Sequence, residues 1–167
     1  MRIILAGLTT IFLAGHWVLP AFAQSSMSNR DVDVENVWTR SSLDIGGAVE
    51  VYFTLRNTGE KTVDLIGVRA DVASIEVLHR SEVDASGVIR MKAVPELRVA
   101  PGASMAFEPG GPHVMLIDLE KPLIEGETLQ LLLVFYDGDK LTIEVPILGA
   151  DATDAQDPAT VGAASSD

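Results

Sequence analysis

From Val32 to Val145 the chain alternates apolar and polar residues in short runs. Turn-forming clusters break these runs about every ten residues, the pattern of an all-β sandwich or barrel. Val32-Asp33-Val34-Glu35-Asn36-Val37-Trp38 opens with period two, which predicts that valines and Trp38 lean to one face. Further strands are predicted over 48–56, 62–68, 73–79, 88–94, 97–99, 104–107, 114–116, 128–136 and 141–145. Proline and glycine fall between them, in Pro101-Gly102, Pro109-Gly110-Gly111-Pro112, Glu125-Gly126-Glu127 and Asp137-Gly138-Asp139. No stretch after residue 23 sustains a helical apolar period, so helix is expected to be essentially absent beyond the leader.

The two ends depart from this pattern. Met1-Arg2 followed by the apolar run Ile3 to Leu19 and by Pro20-Ala21-Phe22-Ala23 reads as a secretory signal cleaved before Gln24. An uncleaved membrane anchor is the rival reading, and the absence of cysteine leads us to expect no lipid anchor. Residues 24–30 are expected to form a flexible leader, 31–149 one domain, and 150–167 a disordered acidic tail poor in large aliphatics. A formal net charge of −12 argues against nucleic-acid partners, which demand lysine and arginine, and against anionic membrane surfaces. With no cysteine the exported domain must be held by its core alone.

Against this sparse background four side chains stand out. His79, Met91, His113 and Met115 bring together imidazole and thioether, a ligand mixture that suits monovalent copper. Two residues apart on a strand, His113 and Met115 would project from one face as a bidentate clip beside the Pro109 to Pro112 loop. Taken singly, a methionine among aliphatics is core filler and a histidine after a turn is a solvated polar group.

His79 and Met91 lie on the two arms of a hairpin turning at Asp84-Ala85-Ser86-Gly87. A four-residue loop pairs Val83 with Val88 and puts them on opposite faces. A three-residue loop of Ala85-Ser86-Gly87, or a bulge, puts them on the same face, one diagonal step apart.

The residues His79, Met91 and His113-Val114-Met115, with Val88-Ile89-Arg90-Met91, Val99-Ala100-Pro101-Gly102 and Pro109-Gly110-Gly111-Pro112, closely resemble the PCuAC family of periplasmic copper chaperones. The family signature is His, ten residues, Met, twenty-one residues, His-x-Met. This chain matches the second spacing but has eleven residues between His79 and Met91, the extra one falling near the hairpin turn. The likeness spans roughly 31–149 and includes Asn36 to Arg40 and Tyr52 to Gly59.

The resemblance implies a cupredoxin-like, Greek-key β-sandwich that binds one Cu(I) per chain through His79, Met91, His113 and Met115. It further implies a non-enzymatic periplasmic chaperone delivering copper to a receiving protein, and the chain is expected to be a monomer. That recipient would be the binuclear-copper subunit of cytochrome c oxidase or a thiol-dependent assembly factor. Some members carry a His- and Met-rich C-terminal extension for Cu(II), and residues 150–167 contain neither residue.

Other residues read as ordinary structure. Met105 is expected to pack, Met27 to be inert and His16 to leave with the signal. Trp38, Tyr52, Phe53, Phe107, Phe135 and Tyr136 are expected to be buried or half-buried strand residues. Asp118, Asp137 and Asp139 lack calcium-loop spacing. Two alternatives are carried forward: an Ig-like binding or assembly module without metal, and an enzyme using His113 as a general base. An electron-transfer blue-copper site is excluded because it needs a cysteine thiolate.

Overall fold

The structure is a computed structural model that describes residues 27–29 and 31–155. The segments expected to form the signal, 1–23, and most of the acidic tail lie outside the described residues. Eleven strands follow one another: β1 (Met27–Asn29), β2 (Val32–Arg40), β3 (Ala48–Asn57), β4 (Val63–Arg69), β5 (Ala73–Val83), β6 (Ile89–Ala93), β7 (Leu97–Val99), β8 (Ser104–Phe107), β9 (Pro112–Leu119), β10 (Thr128–Phe135) and β11 (Lys140–Leu148). No helix occurs among the described residues. The short strand β1, in the segment expected to be a flexible leader, pairs antiparallel with β2.

Strand order is β6-β5-β9-β3-β2-β11-β10-β4-β7, with β8 also paired to β3. A short parallel contact, Ile147 with Thr39 and Leu148 with Arg40, joins the β6-to-β2 layer to the β11-to-β7 layer. Between the layers lies one core. Leu78, Val51, Phe53, Leu55, Val114 and Leu116 of the first layer pack with Leu65, Val68, Leu131, Leu133, Ile143 and Val145 of the second. Most of these come from alternate positions of their strand, because a strand turns successive side chains to opposite faces; on β4 a register shift against β10 lets Leu65 and Val68, three apart, share the inner face. Phe53 and Phe107, opposite each other on β3 and β8, stack with centroids 4.1 Å apart. Met105 packs against this core as expected.

The opening strand departs from expectation. Val32 and Val34 are in the core, but Trp38 belongs to a separate cluster with Tyr52 and Ala152 on the outer face of the first layer. A bulge causes this reversal. Pairing runs Glu35 with Thr54 and then Trp38 with Tyr52, so two residues of β2 face one of β3. Asn36, with φ of 54°, takes the left-handed conformation that asparagine tolerates better than most residues. Past the bulge, Trp38 and Arg40 point outward beside Tyr52 and Glu50.

Two more expectations are corrected here. Tyr136 is 75% exposed, because β10 ends at Phe135 and Tyr136 already belongs to the turn that precedes β11. The first residues of the expected disordered tail are packed: Ala152 is 3% exposed against Trp38 and Tyr52, and its carbonyl accepts a hydrogen bond of 2.8 Å from Arg40 Nε. Small side chains let this segment lie flat on the aromatic pair, and the guanidinium satisfies its backbone.

The outer cluster carries charge as well as rings. The Arg40 guanidinium carbon sits 5.2 Å from the Trp38 ring centroid and 5.6 Å from that of Tyr52. Arg40 Nη1 also donates to the Tyr52 hydroxyl at 3.3 Å, and that hydroxyl donates to Glu50 Oε2. Burial, reinforced by the hydrogen bond to Glu50, pushes the Tyr52 phenol up from 10.0 to about 12, with Arg40 opposing the rise. A raised phenol favours the neutral form in the folded state, so its stabilisation is complete below pH 10 and is lost as pH rises through 12.

We therefore expect alkaline titration followed by phenolate absorbance to show a late-ionising tyrosine that vanishes in Tyr52→Phe. Its stability loss between pH 10 and 12 should be shallower in that variant. In the core, Phe53→Ala should lower the unfolding free energy by about 3–5 kcal/mol in denaturant titrations, because it removes a buried ring with a stacked partner.

Candidate metal centre

The outer face of the first layer gathers the four sulfur and imidazole residues. In the β5–β6 hairpin, His79 pairs with Ala93, Ser81 with Met91 and Val83 with Ile89. Asp84 N donates to Val88 O, leaving the three-residue loop Ala85-Ser86-Gly87. The Asp84 carboxylate selects this geometry. Its Oδ1 accepts from Ser86 N at 2.8 Å and Val88 N at 3.0 Å, and Gly87 takes the left-handed φ of 80° that closes the loop. Met91 thus lies opposite Ser81, diagonal to His79 and on its face. The extra residue relative to the family spacing does not separate them.

The third and fourth residues come from β9. His79 pairs directly with His113 and Val77 with Met115, so β5 and β9 present both imidazoles side by side. Their ring centroids are 5.6 Å apart and nearly perpendicular. Even-numbered Val114 and Leu116 fill the core, which obliges His113 and Met115 to take the other face. His79 and Met115 are half-buried, and Met91, on the edge strand, is 57% exposed. His113 is 1% exposed, more enclosed than its place beside a loop suggests.

The hydrogen bonding of the two rings is incomplete in a particular way. His113 Nδ1 lies 3.0 Å from the Gly111 carbonyl, which can only accept, so Nδ1 donates there and, in the neutral ring, Nε2 is the nitrogen that carries the lone pair. Gly111 is held by the tight loop after β8, where its N–H donates to Glu108 O and Glu108 N donates to Pro112 O. His113 Nε2 and His79 Nδ1 are both buried and have no hydrogen-bond partner. Such groups are rare in native proteins unless something else satisfies them. Burial, then the neighbouring His113 ring, holds the His79 imidazole below the usual 6.5, with Glu50 opposing the shift. Both effects favour the neutral ring that can donate to a metal.

Strand β3 adds a residue that sequence reasoning did not single out. Glu50 lies directly opposite Met115, and its Oε1 is 3.7 Å from His113 Nε2. Its other oxygen is held by Tyr52, and Arg40 Nη1 lies 3.7 Å from it. Glu50 is polar on an alternating strand, and nothing local marks it out, since its place depends on the β3–β9 register and on the β2 bulge.

Comparison with known proteins agrees with this architecture. The profile described as "Putative lipoprotein LpqE-like" matches residues 32–147. The chain is 31% identical over 130 residues to the putative lipoprotein Lxx21020 of Leifsonia xyli subsp. xyli, covering 77% of each. It is 29% identical over 115 residues to the uncharacterized protein RP573 of Rickettsia prowazekii, covering 66% of this chain and 62% of that one.

Among solved structures, the copper-bound PCuAC domain from PmoF2 superposes with a TM-score of 0.63 at 22% identity, covering 75% of this chain and 98% of that domain. The Cu(I) form of DR1885 from Deinococcus radiodurans gives 0.54 at 25% identity, covering 83% and 85%. The resemblance to PCuAC domains read from the motif residues therefore holds at the level of the whole fold. Over the span of β2 to β11, the chain belongs to the LpqE-like family and has the fold of a PCuAC domain.

Proposed function

We propose that this protein is an exported copper-binding chaperone that carries one Cu(I) on His79, Met91, His113 and Met115. The observation that carries the reading is the pair of unpartnered, buried imidazole nitrogens, His79 Nδ1 and His113 Nε2, on one face with two thioethers. Cu(I) is a soft ion that accepts imidazole and thioether together, and neither sulfur must lose a proton to bind it. The copper-bound form of the PmoF2 domain and the Cu(I) form of DR1885 support the same cargo.

The chain's own residues divide the work. The Gly111 carbonyl holds His113 in the tautomer whose Nε2 is free, and β9 keeps His113 and Met115 rigid from the core outward. Met91, on the exposed edge strand, gives an incoming acceptor its access to the metal. Nothing in this arrangement calls for catalysis. His113 as a general base would have Glu50 as its neighbour but no nucleophile among the groups described beside it. The family's description as a lipoprotein supports export, and the periplasm is the compartment we assign. The recipient we assign is a copper-accepting protein of cytochrome oxidase assembly or the oxidase copper subunit itself, met by a monomeric chaperone.

Titration of the purified protein with Cu(I), anaerobically and against a coloured chelator, should show one equivalent bound. His113→Ala and Met115→Ala should each weaken binding by more than about tenfold, and Met91→Ala should do the same. Negligible uptake by the unsubstituted protein would overturn the assignment. Because the His79 pKa is lowered from 6.5, protons should compete with copper at that ring only below this value. At that ring, affinity measured from neutral pH downward should therefore persist further into acid than an ordinary imidazole would allow before it falls.

A further inference from the structure

Glu50 brings a hard anionic donor to a pocket whose other donors are neutral. It sits on β3 opposite Met115, and its Oε1 faces the bare Nε2 of His113 at 3.7 Å, too long for a hydrogen bond. The carboxylate does not swing freely. Tyr52 donates to its Oε2, Arg40 lies 3.7 Å from the same oxygen, and Arg40 is pinned by the Ala152 carbonyl and by the Trp38 and Tyr52 rings. Two oxygens of one carboxylate thus have different tasks: Oε2 is tied to the wall, and Oε1 is turned toward the imidazole pair.

Two imidazoles and a carboxylate form a donor set of nitrogen and oxygen, which suits Cu(II) in tetragonal geometry, whereas thioethers suit Cu(I). We infer that Glu50 is a conditional ligand, so that the pocket proposed above for Cu(I) also takes Cu(II) through His79, His113 and Glu50. The inference rests on the proposed copper site. Among the described residues no three His, Cys, Asp or Glu side chains are placed to hold a metal ion as they stand, and His79, His113 and Glu50 are no exception. They lie on three adjacent strands of one face, β3, β9 and β5, so closing the set calls for side-chain torsions and no change of register. Retention of the divalent ion would matter in the compartment proposed above, because a thioether holds Cu(II) less well than a carboxylate does.

The test separates the two oxidation states. The purified protein is titrated with copper(II) sulfate against a Cu(II) chelator, with the electron paramagnetic resonance spectrum recorded, and separately with Cu(I) under reducing, anaerobic conditions. Glu50→Gln should lose at least tenfold in Cu(II) affinity and change the Cu(II) spectrum, with Cu(I) affinity staying within about threefold. Glu50→Asp keeps the charge but withdraws the oxygen, and should also lose Cu(II) affinity; it serves if Glu50→Gln does not fold by circular dichroism.

Unaltered Cu(II) affinity and spectrum in a folded Glu50 variant would overturn the inference, as would a wild-type protein that binds Cu(I) but no Cu(II). Loss of Cu(I) binding by the wild type would instead overturn the proposed function.

Discussion

A strand turns alternate side chains to opposite faces, and on β9 this single constraint sorts structure from chemistry. Val114 and Leu116 are fully buried in the core, so His113 and Met115 are held on the outer face by the packing of their neighbours. A slip of one residue against β3 or β5 would carry an imidazole and a thioether into an apolar interior and expose two aliphatics. The cost of that exchange fixes the register that sets His113 and Met115 on the outer face. Only Met91, on an edge strand that pairs with β5 alone, escapes this control.

The same face shows why unsatisfied groups carry information. Burial of a ring nitrogen without a partner is costly, and the chain tolerates it at His79 and again at His113. Elsewhere the outer cluster is well satisfied: Arg40, Tyr52 and Glu50 bond to one another, Thr39 Oγ1 donates to Glu50 O, and the Ala152 carbonyl is capped by Arg40. The orphaned imidazole nitrogens lie beside this bonded network, and the third buried atom without a partner among the described residues is Arg80 Nε.

Much of the fold was legible because strand alternation is a local signal. Leu129, Leu131 and Leu133, or Ile143 and Val145, declare their face without reference to any partner. The hairpin was legible only up to a choice between two registers, and the Asp84 carboxylate, by accepting from both Ser86 and Val88, decides between them. The four sulfur and imidazole residues stood out because they are scarce in a cysteine-free chain. The enclosure of His113 and the place of Glu50 beside it were not legible, since both depend on pairings between strands far apart in sequence. Alternation alone points Trp38 to the wrong face, because an asparagine inside a strand-like run gives no sign that it is bulged.

That bulge has reach beyond its own strand. If β2 ran regularly through Asn36, the indole of Trp38 and the guanidinium of Arg40 would point between the layers, where a lone cation has no counterion. One left-handed asparagine therefore converts what would be a folding defect into a cationic brace. The orientation of an acidic side chain on the next strand, and the docking of residues near the chain's far end, both hang on that local twist.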